Sequence, residues 1–186
     1  SVTGSISFYF AVSTDYSAGD YLLDANRLGP VQTARAKAEE IVSINAGLSD
    51  YEKLEAYLTE ICAIVSYDYS AVNSGQSYGN PWQAVWAFDS DPNTNVVCEG
   101  YAKAFQYLCD QSSFAGNVSC VSVTGVMQGG TGEGAHMWNI VTMEDGKNYL
   151  VDVTNCDNGT LGAPKQLFLV GTSGSVDAGY SFSCED

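Results

Sequence analysis

Apolar side chains recur at every third or fourth position through Leu54, Tyr57, Leu58, Ile61, Ile64 and Val65, the spacing of one buried face of a helix. Ser49, with Glu52 three positions on, supplies a capping box for its start, and Tyr67-Asp68-Tyr69 ends it. Upstream, Pro30 opens a helix over Val31–Ala46 that Gly47 closes. Asn80-Pro81 opens a short one over Pro81–Phe88. Asn95–Cys109 reads as a further helix, capped by Asn95 or Thr94, with Ala102, Phe105 and Leu108/Cys109 as its apolar stripe.

Beyond that helix the period changes from 3.6 to 2. Val118–Met127 is strand-like, and Gln128–Gly134 is a glycine-rich loop. His136–Met143 and Asn148–Thr154 form a hairpin around Glu144-Asp145-Gly146, and Leu167–Val170 is a further apolar strand. Ile6–Val12 could be a strand and Thr14–Asp20 is turn-like. Residues 1–29 therefore remain a segment of unassigned structure, and residues 30–186 form a single domain. Helices first and an antiparallel sheet after them predict an α+β fold, N-terminal helices packed on the sheet.

Composition narrows the function classes. At 186 residues and 45% hydrophobic, the chain can bury one sizeable core. Its 7 basic and 22 acidic residues leave a formal charge of -15. That balance excludes nucleic acid and anionic membrane surfaces as expected partners, since both require clustered Lys and Arg. No apolar run is long enough to insert into a bilayer. The chain opens Ser1-Val2-Thr3-Gly4 without a signal-like segment, so a processed or trimmed chain is expected, its leader lying outside it.

Six cysteines and one histidine do not make a zinc pattern. If Cys98 is kept free, an odd number remains. Cys109–Cys120 and Cys156–Cys184 are the disulfides to test, against a reduced core in which most thiols simply pack. The acidic run Asp89–Asn95 has the oxygen spacing of a calcium loop, but Thr94 and Gly100 stand where the loop needs Gly and Glu. It reads as a turn. No metal or other cofactor is expected, calcium being the weaker alternative.

Cys98 falls in the first turn of its helix, where unpaired backbone N–H groups and the positive end of the helix dipole favour a thiolate. A thiolate nucleophile needs a base and a group to orient that base. His136 stands at the entrance of the first hairpin strand and Asp152 near the end of the second. A three-residue loop with Gly146 left-handed pairs Met143 with Lys147 and sets Asp152 opposite Trp138, on the face that carries His136. A two-residue loop would put the two on opposite faces. Cys98 as nucleophile, His136 as base and Asp152 as orienting carboxylate then have the types and order of a thiol triad.

Val97–Phe105, His136-Met137-Trp138-Asn139 and Tyr149–Thr154 together resemble the three core motifs of the bacterial transglutaminase-like superfamily. The likeness spans roughly residues 49–171. It implies a papain-like α+β fold with the triad Cys98, His136 and Asp152, and acyl transfer or hydrolysis on protein or peptide amides through a Cys98 thioester. The superfamily includes crosslinking enzymes, peptidases, amidases and inactive domains. A catalytically silent surface binding or adhesion module is therefore the competing expectation. Trp138, Gln83 and Tyr78 are candidate substrate-binding residues, Gln83 and Tyr78 lying upstream of the cysteine as oxyanion donors do in relatives. The Cys98 N–H is itself a candidate oxyanion donor. A secreted or cell-surface bacterial location is expected.

Overall fold

A computed structural model describes residue 12 and residues 16–19, 21–73, 82–130 and 133–184. Ile6–Ala11 and Tyr78, for which the sequence suggested roles, lie outside these residues. The described chain begins with a small hairpin of β1 (Ser17–Gly19) and β2 (Leu22–Leu23). Then come α1 (Gly29–Ile44), α2 (Asp50–Ile64), α3 (Tyr69–Asn73), α4 (Trp82–Trp86) and α5 (Cys98–Asp110). The second half holds β3 (Ser119–Gly129), β4 (Gly134–Thr142), β5 (Asn148–Val151), α6 (Val153–Cys156), α7 (Thr172–Asp177) and β6 (Tyr180–Cys184). The fold is α+β: helices gather on one antiparallel sheet of order β5-β4-β3-β6.

Pro30 sits in the first turn of α1, where its missing N–H costs nothing. The helix stops short of Gly47. Asn45 caps it and its side chain donates to the Ile41 carbonyl at 2.9 Å, so a polar side chain does the work expected of a glycine. The Ser49–Glu52 capping box of α2 forms in both directions. Leu54, Tyr57, Leu58 and Ile61 are buried as their spacing requires, while Ile64 is half out at the helix end. Asp50 ties that helix to the turn after α5 by accepting the Ala115 and Gly116 N–H groups at 2.9 and 2.7 Å.

Helix α5 lies at the centre of the core. Tyr101, Ala104, Phe105 and Leu108 have no exposed surface, and the helix touches α2, α4, β3, β4 and α6. It starts later than Asn95. Val97 is its N-cap without a side-chain cap, and Thr94 instead donates its hydroxyl to Asp89 and to the Asp91 carbonyl. The acidic run is thus a turn held by its own side chains, Asp91 also accepting the Asn93 N–H at 2.9 Å.

Two strands differ from the expectation. Leu167–Val170 is not a strand: Leu169 has φ 50°, and only Val170 bridges to Leu150. Leu167 and Phe168 are buried apolar residues of a turn-rich segment, and a short apolar run cannot by itself distinguish the two cases. Strand β6 completes the sheet beside β3. Gly125 is required at that junction, since a Cβ there would lie 2.0 Å from the Ser183 carbonyl oxygen and 2.8 Å from the Trp138 ring. Among the described residues, no helix is long and apolar enough to cross a membrane.

Candidate active site

Cys98 is the first residue of α5, so its backbone N–H has no partner within the helix. The residue before it, Val97, donates its N–H to Gln83 Oε1 at 2.9 Å. That contact orients the buried Gln83 carboxamide: an N–H can only meet the carbonyl oxygen, so the other arm is an NH2 donor. α4 therefore brings a donor group beside the start of α5. Gly100 keeps this turn tight, because a Cβ there would lie 2.4 Å from Val96 Cβ.

The hairpin register is the one that the three-residue loop demands. Gly146 has φ 72°, its N–H donates to the Met143 carbonyl at 2.9 Å, and the Met143 N–H donates to the Lys147 carbonyl at 3.0 Å. Asn139 pairs with Val151 and Ile140 with Leu150. The next pair in that register sets Trp138 against Asp152, with His136 on the same side. One detail differs: β5 ends at Val151, and Asp152 serves as the N-cap of α6. The carboxylate keeps the expected position while its backbone has already left the sheet.

His136 Nε2 and Asp152 Oδ2 are 2.9 Å apart. With Nε2 so engaged, Nδ1 is the ring nitrogen left for the sulfur, and Cys98 lies near enough to the imidazole to favour its protonated form. The structure therefore gathers Cys98, His136 and Asp152. They are 3%, 7% and 0% exposed, so their charges act on one another with little screening by water. Burial opposes a charged imidazole, yet the Asp152 carboxylate and then Cys98 outweigh it and raise His136 to about 10. An imidazolium persists beside the sulfur throughout the neutral range.

Trp138, a candidate substrate-binding residue, is 1% exposed and packs beside the site, its ring nearly parallel to His136 at 6.2 Å between centroids and tilted against Phe182 at 5.1 Å.

The sequence reading missed Asn155. This residue is 5% exposed and donates its side-chain N–H to Asp152 Oδ2 at 2.7 Å. Its backbone N–H reaches Asp152 Oδ1 at 3.3 Å. An Asp at a helix cap with a polar residue three positions on was the available signal.

All six cysteines are free. Cys109 and Cys120 are neighbours but remain separate thiols, and Cys120 together with burial pushes the Cys109 thiol up. Cys156 is buried while Cys184 is exposed at the end of β6, so that pair is not joined. Burial also pushes Cys62 up, and Cys156 to about 12. Among the described residues no group of His, Cys, Asp and Glu is arranged to hold a metal ion.

A cleft of about 570 Å³ opens beside His136, lined among others by Tyr67, Tyr69, Val72, Met127, Thr154 and Asp157. Apart from His136, Asp157 is its only formally charged lining side chain among the described residues. Thr154 Oγ1 is buried there without a hydrogen-bond partner.

No family model matches the chain, and no curated protein matches it. Among solved structures, one described as the crystal structure of a TGase is similar, with a TM-score of 0.48 and 17% identity over 73% of this chain. The chain spans 34% of that protein's length, about a third.

Proposed function

We propose that this protein transfers acyl groups from protein or peptide amides through a thioester on Cys98. The observation that carries the reading is that one buried imidazole joins a helix-start sulfur to a buried carboxylate. The Cys98 thiolate attacks the amide carbonyl, and the Cys98 N–H and the Gln83 NH2 receive the oxyanion. Collapse breaks the C–N bond as imidazolium His136 gives its proton to the departing amine. In the thioester the sulfur carries no charge. Cys98's share of what holds the His136 proton is then gone, and the imidazole can take a proton from the attacking acceptor. Breaking the C–S bond restores the thiolate beside its imidazolium.

The cleft beside His136 favours an amine over water as acceptor. Asp157 offers a carboxylate to a cationic group, and the unpartnered Thr154 hydroxyl gains a hydrogen bond only when something polar enters. A silent binding module gives no reason for a buried imidazole bridging sulfur and carboxylate.

The test uses Cys184→Ser protein, which removes the exposed thiol, treated with p-nitrophenyl acetate. Intact-mass analysis should find one acetyl group, on Cys98, and none in His136→Gln. Release of that group by 1,5-diaminopentane should exceed release by pentylamine about tenfold, the worth of one charged contact. Asn158→Lys, a cation added at the exposed rim of the cleft, should abolish the difference. Absence of the adduct refutes the thioester; equal release by the two amines refutes the acceptor site.

A further inference from the structure

We propose that Asn155 is a positioning residue, holding the Asp152 carboxylate in the orientation His136 needs, and that Thr160 and Gly162 hold Asn155 in turn. The inference rests on the reading of Cys98, His136 and Asp152 as the reacting group. Asp152 has no exposed surface, so each lone pair not met by a protein donor goes unmet. Asn155 meets both oxygens, Oδ1 through its backbone N–H at 3.3 Å and Oδ2 through Nδ2 at 2.7 Å. Oδ2 is also the oxygen that faces His136 Nε2. A carboxylate gripped at both oxygens cannot rotate about its terminal bond without losing one of these contacts. Rotation is what would turn Oδ2 away from the imidazole.

The Asn155 carboxamide is itself confined. Its Nδ2 lies 3.0 Å from Met127 Sδ and 3.5 Å from His136 Nε2, so it fills the space in which water would otherwise reach the His136–Asp152 contact. The backbone around it is fixed from behind. The Thr160 hydroxyl donates to the Asn155 carbonyl at 2.5 Å, and a Cβ at Gly162 would lie 2.4 Å from that same oxygen. The segment after Asp152 therefore folds back so that two residues with no contact to the imidazole set the place of the one that orients its carboxylate. Hydrogen bonds and close packing that converge on the side chain and backbone of a single residue in this way point to positioning rather than to generic core filling.

This chain has a single histidine, so its imidazole N–H can be followed by nuclear magnetic resonance without assignment ambiguity. In the wild-type chain at pH 7 the Nε2 proton should be visible downfield, protected from exchange by the buried contact. Asn155→Ala admits water and should broaden that signal beyond detection. Thr160→Val, which removes the hydroxyl and keeps the shape, should increase its exchange rate with water, while Thr160→Ser restores it. Gly162→Ala should act like Asn155→Ala from a distance. In acyl transfer, Asn155→Ala should lower kcat by about tenfold to a hundredfold, the range expected of a misplaced reacting group, with KM little changed. A protected Nε2 proton and unchanged kcat in Asn155→Ala overturn the proposal. So does a Thr160→Val protein indistinguishable from Thr160→Ser. Should the thioester itself fail to form, the resonance measurement still decides this point separately.

Discussion

His136 is the residue on which the site turns, because it is the one side chain in contact with both of its partners. Replacing it removes the proton carrier and leaves Asp152, which has no exposed surface, with Asn155 as its donor. His136→Gln keeps a donor for that carboxylate and removes the base. We expect it to fold and to lose about 10²–10⁴ of the acyl-transfer rate. His136→Ala should in addition lower stability, since it strips a partner from a buried charge. Urea denaturation of the two variants separates these effects; equal stability would mean the carboxylate does not depend on the imidazole. Asp152→Asn should leave the thioester able to form but slowly, with the imidazole no longer held in one orientation.

At the scale of elements, the turn from α4 into α5 and the β4–β5 hairpin place the three groups. Gly100→Ala tests the first. Alanine is worth about 1 kcal/mol more than glycine inside a helix, yet the new methyl would meet buried Val96 at 2.4 Å. Overpacking costs about 1–3 kcal/mol, so a net loss of up to about 2 kcal/mol is expected in urea denaturation. A stabilised variant would show that this turn has room to spare. The hairpin explains how much of the site could be read beforehand. Gly146 fixed the loop length, the loop length fixed the register, and a sheet's two-residue period then put His136 and Asp152 on one side. The same logic could not show that β5 ends at Val151, because a strand and a capped helical turn both accommodate Asp152. It could not find Asn155 either, whose role depends on Thr160 and Gly162 bringing the chain back. Apolar Leu167–Val170 misled for a related reason. Those side chains are partly buried as a strand's would be, but the left-handed Leu169 breaks the extended backbone.

For the whole molecule, charge and burial set how stability responds to pH. His136 is raised from 6.5 to about 10 on folding, so its pairing stabilises fully below about pH 6.5 and is lost as the pH climbs through 10. Asp50 works at the other end. Burial tends to raise it, but the Ala115 and Gly116 N–H groups and Lys53 prevail and lower it, so its contribution is lost as the medium is acidified through its folded value. The urea midpoint of the wild-type chain should decline between pH 7 and pH 10, and His136→Gln should flatten that decline. An equal decline in the variant would assign it to the general repulsion of a chain of charge -15.

The most direct test of the reactive group is alkylation of Cys98 by iodoacetamide between pH 5 and pH 9 in Cys184→Ser protein, with and without His136→Gln. Cys62, Cys109 and Cys156 are pushed up, so they should stay silent over this range, and peptide mapping separates label on Cys98 from label on the buried Cys120. With the imidazole beside the sulfur, His136→Gln should slow labelling of Cys98 at pH 6 by at least about tenfold. A rate at Cys98 that climbs steadily with pH and is the same in both proteins would contradict the account.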